Sequence, residues 1–249
     1  MEQAQRIVGV IPARLASTRL PRKMLREIAG QPLLGWVVQA AQRCSSLDEL
    51  IVATDSAEIA DYVRSLGCRV EMTSTELASG TDRVCAVAQR VAGDVFLNIQ
   101  GDEPLLKPAQ LETLIALFVR PEVQVGTLMT RCAPHDVQNP NAVKVVCARD
   151  GRALYFSRAG IPFDRDNSGA AEYWKHLGFY GYRRAALEQF PSLPPSKLEA
   201  SERLEQLRVL EAGVPIYVAE TEHDSIGVDT EADLLAVAAM LLVMLNTCK

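Results

Sequence analysis

The sequence predicts an α/β protein: a doubly wound, mostly parallel sheet with a smaller strand-rich subregion in its second half. Three observations predict it. Short apolar runs alternate with helix-period segments through residues 7–99, turn and capping residues sit at the joints, and after about residue 122 the alternation gives way to strands joined by turns.

Taken in order, "IVGVI" (7–11) is a continuous apolar run of the kind buried on both faces, and reads as the first strand. "PLLGWVVQAAQRC" (32–44) has helical spacing, with Pro32 suited to its first turn. "ELIVAT" (49–54) is the second strand. "SAEIADYVRSLG" (56–67) is a helix with Ser56 as N-cap and Gly67 at its carboxyl end. "RVEMT" (69–73) is a strand, "GTDRVCAVAQRVAG" (80–93) a helix stopped by Gly93, and "DVFLNI" (94–99) the fourth strand. Repeated βαβ units of this kind place parallel strands side by side with helices on both faces.

In the second half, "VQVGTLMTRC", "NAVKVVCARDG" and "RALYFSR" read as strands, with the Asp-Gly of "ARDGRA" marking a hairpin. Residues 163–174 are polar and predict a mobile loop or arm before "HLGFYGYRR" resumes as a strand. Residues 197–213 read as one helix with Leu198, Leu204, Leu207 and Leu210 on one side and a Gly stop. "VPIYVAE" is a last strand, and the segment after Thr230, a suitable N-cap, is the last helix.

The 249 residues suit one domain, 1–249, with the strand-rich subregion at about 122–182. The start "MEQAQRIVGV" lacks the basic region and long apolar core of a secretory signal. The longest apolar run, "LLAVAAMLLVML" (234–245), is too short to span a bilayer and reads as a buried terminal helix, so a cytoplasmic location without membrane insertion is expected. Six cysteines (44, 68, 85, 132, 147, 248) form no Cys-x-x-Cys pair and read as reduced, mostly buried thiols. With 31 acidic against 26 basic residues the net charge is −5, which argues against nucleic acid as a partner.

Against that balance, "VIPARLASTRLPRKML" (10–25) carries Arg14, Arg19, Arg22 and Lys23, with Arg26 just beyond. The loop after the first strand of an open α/β sheet is the usual phosphate-handling loop. This one lacks both glycine-rich phosphate motifs, so its cations would do what glycine amides do elsewhere, neutralising a small polyanion; a solvated basic loop would have the same composition. "NIQGDEP" (98–104) places Asp102 just past the fourth strand, where it suits a hard divalent cation or, equally, a turn that caps the next helix. "GVDT" (227–230) places Asp229 at another strand-to-helix boundary, where it could meet Asp102 across a metal or serve the helix dipole.

The segments "IPARLASTRLPRKML", "VATD", "SGTDR", "NIQGDEP", "NPNAVKVV", "ALYFSR", "HLGFYGYR", "LEQLRVL" and "GVDT" occur in this order from about residue 7 to residue 237, and together the chain resembles the 3-deoxy-manno-octulosonate cytidylyltransferases. The resemblance implies a fold like that of nucleotide-diphospho-sugar transferases. It also implies Mg²⁺ dependence and a homodimer, and the apolar strands "NAVKVVCA" and "RALYFSR", which lie outside the βαβ repeat and need a covering surface, place the expected interface in the strand-rich subregion. The activity implied is coupling of CTP to the sugar acid 3-deoxy-manno-octulosonate (Kdo), releasing diphosphate, for lipopolysaccharide synthesis.

By the same resemblance Ala13 and Arg14 face the cytosine and phosphates, and Ser17, Arg19 and Lys23 hold the phosphates and the departing diphosphate. Ser79 and Gly80 line the nucleotide side, with Gln100 between nucleotide and sugar. Asp102 and Asp229 hold the metal, and with Arg14 and Lys23 form the catalytic set. Arg83, Arg158, His176, Tyr180, Glu205 and Gln206 face Kdo, the two arginines being suited to its carboxylate. One departure stands out: the family commonly has "LPGKPL" where this chain has "LPRKML", so Arg22 replaces a glycine and Met24 a proline. A cytidylyltransferase for another sugar acid, such as sialic acid, would share the basic loop, whereas a non-catalytic nucleotide-binding regulator would have no need of two convergent carboxylates.

Overall fold

The computed structural model describes residues 5–17 and 19–247. The chain clusters into two compact units, one made of residues up to Glu112 together with those from Ser225 onward, the other of Thr113–Asp224. The strand-rich subregion lies inside the second.

The first unit contains β1 (Ile7–Ala13), a small hairpin of β2 (Glu27–Ile28) and β3 (Gln31–Pro32), α1 (Leu33–Gln42), β4 (Glu49–Thr54), α2 (Ala57–Ser65), β5 (Arg69–Met72), α3 (Gly80–Ala88) and β6 (Val95–Asn98). The four long-range strands are parallel and lie in the order β6-β1-β4-β5. All four runs read as strands from the sequence are strands. Successive crossovers carry the chain outward from β1 to β4 and β5, and then α3 returns it to the opposite side of β1. The strand order therefore reverses between β1 and β6, and the crevice beyond their carboxyl ends is where ligands bind in such sheets. Val8, Val10, Ile11, Ile51, Val52, Phe96 and Leu97 are wholly buried in this sheet, each contributing roughly 1.5–3 kcal/mol relative to exposure.

The caps hold in part. Ser56 Oγ accepts from the Ile59 amide, and Gly67 takes a left-handed φ of 69° just past α2. Pro32, expected inside the first turn, instead occupies the N-cap position of α1 in extended conformation. Gly93, expected to stop α3, lies beyond a helix that already ends at Ala88. Its smallness serves packing: a Cβ there would stand 2.8 Å from Val8 Cγ2 and 2.9 Å from the Phe96 ring.

Helix α4 (Pro108–Ala116) leads into the second unit, which contains β7 (Val125–Arg131), β8 (Lys144–Cys147), β9 (Ala153–Ser157), β10 (Trp174–Arg183), α5 (Arg184–Gln189), α6 (Lys197–Glu202), α7 (Gln206–Glu211) and β11 (Ile216–Glu220). β10 pairs antiparallel with β7 and β8, β8 antiparallel with β9, and β11 parallel with β7. The predicted Asp-Gly hairpin joins β8 to β9, closed by Ala148 N–H to Arg152 O at 2.7 Å, with Gly151 at φ 86°. Residues 163–173 form neither strand nor helix.

Two helix expectations are corrected. Residues 197–213 are two short helices, because Arg203 turns left-handed at φ 55°. Arg158, far away in sequence, takes up the carbonyls released there, donating from Nε to Glu202 O at 2.7 Å and from Nη2 to Arg203 O at 3.4 Å. The terminal helix α8 (Glu231–Thr247), which belongs to the first unit, is capped by Thr230 as expected but is only one-sidedly buried. Leu234, Val237 and Leu241 form its buried stripe, while Leu235 is 65% and Val243 64% exposed. A single helix resting on one surface can bury only one stripe, however apolar its remainder.

Among the described residues no helix is long and apolar enough to cross a membrane. Cys44, Cys68 and Cys85 are buried thiols and Cys132 and Cys147 half-buried; Cys248 lies outside the described residues. Burial pushes the Cys68 and Cys147 thiols up to about 11, so both are poor nucleophiles at neutral pH.

Candidate active site

The loop after β1 is anchored by its apolar residues. Leu20 and Met24 are buried, and the main chain closes on itself through Lys23 N–H to Leu20 O and Leu25 N–H to Arg22 O. Arg22 sits between them at φ 57°, ψ 31°, in the left-handed region, its guanidinium paired with Glu58 of α2. The position where the resemblance has glycine thus does require a positive φ, and arginine adopts it at a cost of about 1–2 kcal/mol. Replacing Arg22 by glycine relieves that strain but frees the unfolded chain and removes an exposed ion pair. We expect Arg22→Gly to unfold in urea within about 1 kcal/mol of the parent, and Arg22→Val, whose branched Cβ resists this region, to lose about 1–2 kcal/mol. A glycine variant as damaged as the valine one would contradict this account.

The turn directs Lys23 inward. Its ammonium lies 2.6 Å from Asp102 Oδ2 and 3.0 Å from Asp229 Oδ1, and the side chain is nearly buried. Burial alone would lower its pKa, but the two carboxylates outweigh that and raise it, so Lys23 is a fixed positive charge. Arg19 Nη2 also reaches Asp229 Oδ1 at 3.0 Å. Two backbone features bring the segments together. Val228 N–H donates to Asp102 O at 2.9 Å, and Gly101 approaches Pro12 so closely that a Cβ would stand 3.0 Å from its carbonyl oxygen.

These groups line a cleft of about 230 Å³ at the carboxyl ends of β1 and β6. All the site residues expected in the first unit border it: Ala13, Arg14, Ser17, Arg19 and Lys23 from the first loop, Gln100 and Asp102 from the second, Ser79, Gly80 and Arg83 from α3 and its cap, and Asp229. Ser79 is tied up as a cap, exchanging hydrogen bonds with Asp82 in a reciprocal box, so the positive end of α3 opens on the cleft beside it. Arg83 is nearly buried and donates to Asp55 Oδ2 at 2.6 Å and Thr73 Oγ1 at 2.6 Å. Leu77 and Ala78 also line the cleft; as plain apolar residues in a loop they carried no signal in the sequence.

The remaining expected residues belong to the second unit. Arg158 follows β9, and its guanidinium donates to three main-chain carbonyls, of Glu202, Pro140 and Arg203. Among the described residues its guanidinium, unlike that of Arg83, pairs with no carboxylate, although the Arg158 main-chain N–H donates to Glu202 Oε2 at 3.0 Å. His176 and Tyr180 share β10 across its bulge, with His176 Nε2 2.9 Å from Tyr180 OH and 3.0 Å from Thr127 Oγ1. Glu205 immediately precedes α7, and Gln206, its first residue, is buried.

Burial pushes the His176 imidazole down to about 3 and the Tyr180 phenol well above its usual value, so both are neutral across the physiological range. The folded state therefore binds fewer protons at His176 than the unfolded chain, whose histidine titrates near 6.5. The stability from keeping it neutral is present above 6.5 and is lost progressively as pH falls toward 3. Melting temperatures at pH 7 and pH 4.5 should differ by less in His176→Gln than in the parent; equal differences would remove His176 from the acid response.

No group of three or more His, Cys, Asp or Glu side chains is arranged for a metal among the described residues. Two carboxylates do converge, with an oxygen of each within 3.0 Å of one ammonium, so the gap between them already accepts a cation. Magnesium is usually held by one or two carboxylates plus substrate phosphates and water, and the pair fits it on those terms.

A cytidylyltransferase family model matches residues 8–220. The 3-deoxy-manno-octulosonate cytidylyltransferase of Acidobacterium capsulatum is 56% identical over 95% of this chain and 96% of its own. That of Koribacter versatilis is 58% identical over 94% and 89%. The chain belongs to the 3-deoxy-manno-octulosonate cytidylyltransferase family. A solved CMP:2-keto-3-deoxy-manno-octonic acid synthetase, complexed with CTP, superposes with a TM-score of 0.92 at 39% identity, covering 96% of this chain and 99% of that one. The cytidylyltransferase family's mostly parallel sheet flanked by helices is the fold expected from the sequence, and the enzyme class is that of a nucleotidyltransferase.

Proposed function

We propose that this chain transfers the cytidylyl group of CTP to the anomeric 2-hydroxyl of Kdo, giving CMP-Kdo and diphosphate. The observation that carries the reading is the convergence of Arg19 and Lys23 with Asp102 and Asp229 in one cleft where the strand order reverses, in a chain so similar to the 3-deoxy-manno-octulosonate cytidylyltransferases. A site that only held nucleotide would gain nothing from two carboxylates facing a triphosphate.

The sugar hydroxyl oxygen attacks the α-phosphorus, the bond to the oxygen bridging the α- and β-phosphates breaks to release diphosphate, and the hydroxyl proton passes to water. Arg14, Arg19, Lys23 and the positive end of α3 bind the triphosphate and neutralise the charge that gathers on diphosphate. Backbone groups near Ala13 read the pyrimidine edge, with Ser17, Ser79, Gly80 and Gln100 alongside. Asp102 and Asp229 would hold magnesium, which when bound would supply positive charge as a Lewis acid where negative charge develops in the transfer. On the sugar side we assign His176, Tyr180, Glu205 and Gln206, with the Kdo carboxylate going to Arg158 rather than Arg83, whose charge Asp55 already balances.

Diphosphate release on mixing CTP, magnesium and Kdo tests the reading directly. Sialic acid replacing Kdo at equal rate would shift the substrate, equal turnover with UTP would defeat the base assignment, and full turnover in EDTA would defeat the metal.

We also propose a homodimer through the strand-rich subregion, where Leu154 on β9 and Phe163 stand 63% and 84% exposed. Light scattering at micromolar concentration should give twice the 27.2 kDa of one chain; the single-chain mass would overturn it.

A further inference from the structure

We propose that Lys23 is a tethered counter-ion for the carboxylate pair. In the free chain its ammonium occupies the place between Asp102 and Asp229 and keeps a divalent metal off them, and it moves onto the triphosphate when nucleotide binds. The proposal rests on the cytidylyltransfer reading above and adds the order in which the site fills.

Lys23 bonds to both carboxylates at once, at 2.6 and 3.0 Å. A metal arriving alone must break two charge-assisted bonds and leave a nearly buried ammonium without a partner, which is costly. Nucleotide removes that cost, because its phosphates offer the ammonium new oxygens in the same cleft.

The geometry suits a hand-over. The Val228 N–H to Asp102 O bond ties the two carboxylate segments together through the main chain, so the pair does not depend on Lys23 for its spacing. Leu20 and Met24, both buried, hold the foot of the loop. Only the flexible lysine stem has to swing, and a rigid guanidinium could not do this as readily. Arg19, which among the described residues bonds to Asp229 but not to Asp102 and is largely exposed, cannot substitute as the bridge. Metal and triphosphate then favour each other's binding by the same factor, as linkage requires.

The probe is Mn²⁺ alone, without nucleotide, its free fraction read by electron paramagnetic resonance. The parent chain should bind it weakly, with Lys23→Met and Lys23→Gln binding at least about tenfold more tightly because a unit charge beside the ion is gone. The gain should vanish when Asp229→Asn is added. Unchanged affinity in the lysine variants, or a gain that survives Asp229→Asn, overturns the proposal. So does micromolar Mn²⁺ binding by the parent, a measurement that needs no variant to fold. Diphosphate release by the same parent preparation keeps the two readings apart: if it is absent the cytidylyltransfer reading falls, and if it is present while Mn²⁺ affinity disobeys the expectation, only the counter-ion role falls.

Discussion

We expect Asp102→Asn and Asp229→Asn each to lower turnover by about a hundredfold or more while leaving the fold intact, because in the proposed mechanism each removes a negative charge whose main use is in the transition state. Both side chains are partly solvent-accessible, and neither is part of the apolar core, so circular dichroism and melting should change little. Steady-state diphosphate release from CTP and Kdo checks the rate. Parental turnover in either variant would take that carboxylate out of the mechanism. Unequal losses would be informative too, since Asp102 is held by a backbone bond from Val228 and Asp229 shares its charge with Arg19.

The largest effect on stability is expected at Lys144. This side chain on β8 is wholly buried, and its ammonium donates to the main-chain carbonyls of Asn139 at 2.8 Å, Ala142 at 2.5 Å and Arg158 at 2.9 Å, with Asp136 O at 3.5 Å. Burial lowers its pKa, and no carboxylate pairs with it directly among the described residues. A lysine here holds the 136–142 turn against the end of β9. Lys144→Met fills most of the volume but removes the ammonium; the Asp136 and Asn139 carbonyls keep the Asn139 and Ala142 amides as donors, so the cost of about 1–3 kcal/mol per group that water cannot reach falls chiefly on the Ala142 and Arg158 carbonyls. We expect a loss of about 3 kcal/mol or more in urea unfolding. A loss below about 1 kcal/mol would mean that the turn finds other donors.

Much of this was legible locally. An unbroken apolar run such as residues 7–11 can only be comfortable as an interior strand, and a serine ahead of helical spacing, as at Ser56, satisfies an amide whatever surrounds it. The five cations after the first strand stood out against an acidic chain for the same reason: charge and reach belong to the residue itself.

What the sequence by itself determined, then, was the strands, most caps, the basic loop and its two distant carboxylates as separate features. Tertiary structure alone decided where they meet. Lys23 and Asp229 stand 206 positions apart, and only the reversal of strand order and the Val228–Asp102 bond put them 3.0 Å from each other. The break after Glu202 depends on Arg158, 44 positions earlier, and the role of Gly93 on the neighbouring Val8 side chain. The one-sided burial of α8 likewise reflects the surface it rests on rather than its composition. Periodicity and capping act within a turn or two of the chain, whereas burial, close approach and charge pairing act through space, and a single sequence carries no measure of that distance.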